Sequence, residues 1–236
     1  MKAVYKRELN SYLNNPMGYV FLGIFVLFFS VIFCYINLYS LVSSNISYTF
    51  SYMIYAMLVL MPLLTMRLMS EEKAQKTDQL LLTAPVKASS IILGKFFAAM
   101  TLVLLALVFT LPHIVILVIQ GNPGFLVTLL AYIGFILYSS VYVSIGIFIS
   151  SLTENQVISA VLTFAIFMGL LALEILFVPG IQSPTLYKIL SGISFASRYS
   201  DFSMGVFNLT SLVYYASAAF LFLFFTVRVT EKRRWA

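Results

Sequence analysis

Charge is the first thing this sequence lacks. Only 9% of its 236 residues are Asp, Glu, Lys or Arg, against about a quarter in soluble domains, too few to clothe a globular surface in water. Cysteine is nearly absent as well. Cys34 stands alone, so no intrachain disulfide forms, the redox compartment cannot be read from it, and its default role is packing. The single histidine, His113, leaves no donor set for a zinc-type centre. A phosphate-wrapping loop is missing too: the Gly94-Lys95 pair is followed by Phe96 and has no glycine five residues upstream. No paired His/Glu ligands or activated nucleophile stand inside the apolar runs, which argues against an intramembrane hydrolase. No basic stripe interleaved with aromatics argues for nucleic acid, so the net charge of +6 points to membrane topology and anionic lipid.

What is present is apolar. Hydrophobic residues make up 61% of the chain and the mean hydropathy is +1.01, the range of polytopic membrane proteins. Six runs, at about 17–42, 50–69, 90–119, 125–150, 156–178 and 209–229, approach or exceed the roughly 20 residues needed to cross the hydrocarbon core. Turn chemistry separates them: Ser43-Ser44-Asn45, Gly121-Asn122-Pro123-Gly124, Thr153-Glu154-Asn155 and Pro179-Gly180. In lipid such runs must be helices, and the ten-residue alternation of a strand barrel is absent. The expected fold is therefore all-α and integral to the membrane, one domain over 1–236 with six transmembrane helices. Met17 to Leu41 is too long for a secretory h-region and is expected to be a retained span.

Lys188 and Arg198 apart, every Lys and Arg falls on one side of the six-span arrangement. The positive-inside rule then puts both termini in the cytoplasm. Residues 1–14 carry Tyr5, Leu9, Tyr12 and Leu13 on one helical face and Arg7, Asn10, Ser11 and Asn14 on the other, the pattern of a helix lying in the membrane interface.

Between the second and third runs lies the polar stretch 66–98, with Arg67, Glu71, Glu72, Lys73, Lys76, Asp78, Lys87 and Lys95. Ser70 is placed to cap a helix with Glu71 and Glu72 in its first turn, an i,i+4 pair Glu72–Lys76 supports it, and Thr83-Ala84-Pro85 ends it after Leu82. Leu80, Leu81 and Leu82 need cover from water. Either they tuck against the membrane and the chain's own helices, or they dock into a groove on a soluble partner.

Glu71-Glu72-Lys73, Thr77, Leu80-Leu81-Leu82-Thr83-Ala84-Pro85-Val86 and Leu93-Gly94-Lys95 together resemble the signature loop of type-2 ABC (ATP-binding cassette) permeases. The likeness is nearest to the gliding-motility-associated branch and more distant to the permease of nitrous-oxide-reductase maturation. Gln75-Lys76 departs from the pattern, which has a glycine just before Thr77. The resemblance implies a permease subunit, an exporter with no enzymatic activity of its own. It implies a coupling helix over 70–86 that meets the ATPase through Glu71, Glu72, Lys73, Thr77, Leu80, Leu81, Leu82 and Pro85. A second cytoplasmic contact falls at Thr153, Glu154 and Asn155, and residues 179–208 form short helices dipping into the outer leaflet, where the residues alone leave a simple extracellular cap open as well. It also implies two copies of a separate ATPase subunit holding ATP and magnesium, a second permease subunit, the same or homologous, and residence in a bacterial inner membrane. The alternatives are an ABC-type mechanotransmission or metal-processing complex without bulk transport, and a secondary transporter.

Two ionisable groups fall inside apolar runs and are candidates for a pathway or gate, Glu174 and His113. His113 follows Pro112, which is expected to bend the third span while the imidazole bonds a neighbouring helix. Ser140 and Ser144, then Gly146 and Ser150, repeat at four-residue spacing, a small-residue face suited to close packing within the subunit or across a dimer.

Overall fold

The computed structural model describes residues 1–39, 45–77, 86–121, 123–172 and 194–235. Among the described residues every regular element is a helix: α1 (Lys2–Asn14), α2 (Pro16–Phe33) running on as a π-helix (Cys34–Tyr39), α3 (Ile46–Thr65), α4 (Arg67–Ala74), α5 (Ala88–Val108), α6 (Leu111–Gln120), α7 (Phe125–Leu152), α8 (Gln156–Ala172), α9 (Phe195–Ser203) and α10 (Leu209–Trp235). Several of their starts are capped by side chains. Asn15 Oδ1 accepts from Met17 N with Pro16 at the first helical position, Asn45 accepts from Ser47 N, Asn155 from Val157 N, Ser194 from Ser197 N and Asn208 from Thr210 N.

Among the described residues five helical stretches are long and apolar enough to cross a membrane: Pro16–Tyr39, Ile46–Ala74, Ala88–Gln120, Phe125–Leu152 and Leu209–Arg233. The fifth run of the sequence appears as the shorter apolar helix Gln156–Ala172, which reaches the edge of the described residues, and Glu174 lies outside them. Bounds shift from those expected. The second stretch starts at Ile46 and continues through α4, and α10 carries past 229. The third is interrupted at Phe109–Thr110. There Pro112, lacking an N–H, cannot continue the α5 ladder, and Thr110 Oγ1 turns back to Leu107 O at 2.7 Å.

α7 is the axis. It packs against α3, α5, α8, α9 and α10, and its glycines set how near they come. A Cβ on Gly146 would lie 2.2 Å from Thr65 Oγ1 and 2.7 Å from Thr65 Cβ, and one on Gly134 would lie 2.6 Å from Phe202 Cβ. The small-residue face thus serves packing within the subunit at Gly146. Beside it Phe25, Phe29, Phe33, Phe50 and Phe135 are fully buried. Phe50 lies 5.0 Å from the Phe135 ring and 5.1 Å from Phe29, so offset aromatic contacts join α2, α3 and α7.

The two ends of the bundle differ. At one, α1, α4, the start of α5 and the 153–155 connection gather with the end of α10, where Arg233 pairs with Glu154 at 2.6 Å. At the other, α9 lies alongside α7: Tyr199 donates to Ala131 O and Phe202 fills the space at Gly134. These positions are about 9–14 Å along α7 from Phe125 at 1.5 Å per residue, so α9 sits beside the helix body, not on its tip. Residues 179–193, the rest of the expected outer segment, lie outside the described residues.

Gly146→Ala is expected to cost about 1–3 kcal/mol through overpacking, read as a lower melting temperature of the detergent-solubilised protein. Gly169→Ala, in α8 with nothing within 4 Å of an added Cβ, should be neutral or stabilising by up to about 1 kcal/mol.

Candidate functional site

The charged stretch that stood out in the sequence folds into a helix junction, the elbow. α3 ends at Thr65 and α4 follows over eight residues, with Met66 between them at helical φ and ψ and its N–H still bonded to Pro62 O. An interruption of the helical ladder frees backbone groups that must find other partners where water is scarce, and here they come from other elements. Ser150 of α7 accepts from Met69 N and Ser70 N, each at 3.1 Å, and donates to Met66 O at 3.0 Å. It therefore acts as an N-cap supplied from another helix. Tyr12 of α1 donates to Leu64 O at 2.8 Å. The cap expected from Ser70 is corrected: Ser70 lies inside α4, fully buried, with its hydroxyl donated back to Met66 O.

Lys95 on α5 is the centre of the elbow. Its side chain is 1% exposed, and Nζ donates to Glu8 Oε1 at 3.1 Å, Glu72 Oε2 at 2.9 Å and Leu68 O at 2.6 Å, three acceptors for three N–H groups. Arg7 pairs with Glu8 at 2.6 Å and with Glu72, so two cations face two carboxylates and the cluster is neutral. α1 reaches this position because Gly94 lacks a side chain: a Cβ there would lie 3.1 Å from Val4 Cβ and 3.2 Å from Tyr5 N. Tyr5 OH meets Thr101 Oγ1 at 3.0 Å further along α5. The inward face of α1 is thus Val4, Tyr5, Glu8 and Tyr12, where the sequence pattern had pointed to Tyr5, Leu9, Tyr12 and Leu13. Burial by itself pushes the Glu8 carboxyl up, but Lys95 and Arg7 together outweigh it and hold the group below its ordinary value.

α4 stops at Ala74, well short of Leu82. Lys76 N donates to Lys73 O and Thr77 N to Glu72 O, the two bonds of a Schellman turn. The residue in its left-handed position is Lys76, at φ +56. This is where the sequence departs from the glycine of the resembled loop: the backbone keeps the conformation a glycine favours.

The expected docking residues divide. Glu71 pairs with Arg67 at 2.7 Å, the i,i+4 pair of the elbow, while Glu72 turns to Lys95 and Arg7 in place of the expected Lys76. Lys73 donates to Ser151 O, and Thr77 closes the Schellman turn. Leu80, Leu81, Leu82 and Pro85 lie outside the described residues. Thr153 is the extended C-cap of α7, Glu154 is exposed and paired with Arg233, and Asn155 caps α8. The Lys73–Ser151 contact brings this connection beside the elbow. His113 is remote from both. Its Nδ1 lies 3.2 Å from Thr110 O and Nε2 3.0 Å from Ser30 Oγ on α2; since a carbonyl only accepts, Nδ1 carries a proton, and a neutral imidazole then accepts from Ser30 at Nε2. Among the described residues no three His, Cys, Asp or Glu side chains gather as a metal site.

Glu8, Tyr12 and Ser150 were not assigned to this site from the sequence, and Lys95, though part of the polar stretch and of the resembled motif, was not among the expected docking residues. Lys95 carried a signal, a lone charge within a long apolar helix, as did Glu8 between Val4 and Tyr12 at four-residue spacing.

Ser150→Ala should cost about 1–2 kcal/mol by leaving the buried first-turn amide of Met69 without its acceptor. Lys95→Met should cost about 3–5 kcal/mol by leaving two carboxylates to share the one guanidinium of Arg7, with part regained in Lys95→Met/Glu72→Gln; both are read as thermal stability. Because Glu8 is lowered in the folded chain, its stabilising contribution is complete above the ordinary value of 4.5 and is lost as pH falls through the lowered value. A spin-label distance from α1 to α5 should therefore broaden only on acidification below that range.

A family model described as ABC-2 family transporter protein matches residues 14–170, spanning α2 to most of α8 and including the elbow and the 153–155 connection. No curated protein matches the chain. With more than half of its length matched and its apolar helices arranged as a multi-pass bundle, the chain belongs to the ABC-2 transporter family, and is a transmembrane subunit of an ABC transporter.

Proposed function

We propose that the elbow is the input lever of this subunit. A separate ATPase seats on the segment that follows Thr77, through Leu80, Leu81, Leu82 and Pro85, and on the Thr153–Asn155 connection beside it. The observation that carries this reading is Lys95 of α5, which holds α1 through Glu8 and α4 through Glu72 and the Leu68 carbonyl. A push on a loosely tethered loop would be absorbed locally, whereas a push on α4 moves α5 and α1 through Lys95 and α7 through Ser150. Glu72 and Lys73 then hold the lever from within, and the leucines and proline make the contact.

In this reading ATP and magnesium bind on two ATPase subunits, and closure of that pair reaches the spans as a rigid-body shift. This chain catalyses nothing itself. A second permease subunit, the same or homologous, completes the pathway. Both termini lie on the cytoplasmic face of a bacterial inner membrane, consistent with the Lys and Arg gathered at the elbow end. The direction is export.

Co-purification with the cognate ABC ATPase tests the docking. Leu81→Asp places a charge in the apolar contact and should reduce the retained ATPase at least about tenfold, the equivalent of 1.4 kcal/mol, while the permease remains folded by its melting curve. Full retention by the folded variant overturns this reading.

A further inference from the structure

At the end of the bundle away from the elbow, α2 and α3 enclose a groove of about 770 Å³, walled by Phe28, Val31, Tyr35, Tyr48, Tyr52 and Tyr55 among others. Tyr48, Tyr52 and Tyr55 occupy one face of α3 at i, i+4 and i+7, and their rings are 50%, 56% and 48% exposed. Tyr35 faces them from α2 and stacks on Tyr39 at 6.3 Å. Toward the elbow the same face of α3 continues as Val59 and Leu63, also exposed, so hydroxyls occur on one half of the stripe only.

An aromatic belt at the headgroups explains part of this arrangement and not the rest. Tyrosine is favoured where its ring is in lipid and its hydroxyl in water, which suits Tyr48, two residues into α3. Tyr55 is about 14 Å along the helix from Ile46, too deep for a belt. The hydroxyls of Tyr48, Tyr52 and Tyr55 have no hydrogen-bond partner among the described residues, and acyl chains offer none. A hydroxyl in hydrocarbon without a partner costs at least about 1–3 kcal/mol, so three along one groove call for an occupant that supplies hydrogen bonds as well as apolar contact.

A second feature points to the same place. α2 becomes a π-helix at Cys34–Tyr39, a rare distortion that occurs mostly at functional positions. It turns Asn37 inward, where Nδ2 donates to Thr49 Oγ1 at 2.7 Å and ties α2 to α3, while Tyr35 and Tyr39 stay on the exposed side at 65% and 83%. Charge narrows the occupant. The groove lining contains no Lys, Arg, His, Asp or Glu, and neither does the whole sequence from Asn10 to Met66. Nothing in this wall would neutralise a phosphate, a carboxylate or an ammonium group.

We infer that the groove binds an uncharged amphipathic molecule, hydroxyl-bearing along one side and apolar along the other, of which a glycolipid or alkyl glycoside is the simplest form. Tyrosine rings take the apolar face of a sugar or chain, and phenols exchange hydrogen bonds with its hydroxyls. The inference rests on the reading of the chain as a transport pathway, and names the class of cargo.

The test uses the full chain, without ATPase, in phosphatidylcholine nanodiscs. A dodecyl maltoside bearing a diazirine is photolysed, and labelling of residues 28–56 is read by mass spectrometry against a phosphatidylglycerol bearing the same group. The maltoside probe should label the groove and the anionic probe should not. Tyr48→Phe/Tyr52→Phe/Tyr55→Phe keeps every ring and removes hydroxyls with no partner among the described residues, so folding is preserved. Its labelling should fall about tenfold, whereas Tyr19→Phe, exposed elsewhere on α2, should leave labelling unchanged.

Equal labelling of the triple variant, or equal labelling by the anionic probe, overturns the inference. So does disulfide trapping of two copies through Tyr52→Cys in a Cys34→Ser background that the maltoside fails to reduce, which would assign the groove to a second copy of this chain. Each of these outcomes leaves ATPase co-purification untouched, and loss of the ATPase docking leaves the labelling untouched, so the two readings fail separately.

Discussion

A buried lysine ammonium sets the terms for this protein. Removing such a group from water costs several kcal/mol unless every N–H finds an acceptor and its charge a counter-charge. Lys95 of α5 meets both conditions only when α1 and α4 are in place, because Glu8 comes from α1 and Glu72 and the Leu68 carbonyl come from α4. Moving either helix away leaves the ammonium short of acceptors, and that cost couples the three helices.

The same accounting governs the backbone at the elbow. An interrupted helical ladder exposes amides and carbonyls, and a chain poor in polar side chains has few groups to offer them. Ser150 serves two amides and a carbonyl at once, and Tyr12 serves another carbonyl. Both reach across from helices distant in sequence, so the junction is held from two sides. Around it α7 supplies the contact surface, with Gly146 and Gly134 admitting Thr65 and Phe202 at distances that any side chain would forbid. The polar elbow and the aromatic core of Phe25, Phe29, Phe50 and Phe135 are thus joined through one helix.

The opposite end works by a different chemistry. There the polar groups are tyrosine hydroxyls, uncharged and turned outward, and the chain changes helix type to present them. A charge-free, phenol-lined groove at one end and a charge-balanced ion-pair cluster at the other set the two ends of the bundle apart.

Membrane insertion, helical class and the place of the polar elbow were legible in the residues themselves, because each follows from local composition: an apolar run of sufficient length must be helical in lipid, and charge collects where lipid ends. Ser70 shows where this reasoning stops. A serine before two glutamates is a sound local cap, yet the helix had already begun at Arg67 and the cap came from Ser150, eighty residues away in the chain. Glu72 had a suitable partner four residues on in Lys76, yet the stronger competitor was Lys95, whose buried ammonium required it. Periodicity and spacing report what neighbours along the chain can do for one another. Which of several possible partners a polar group takes is decided by which desolvated group most needs it, and that depends on packing that only the folded bundle brings about.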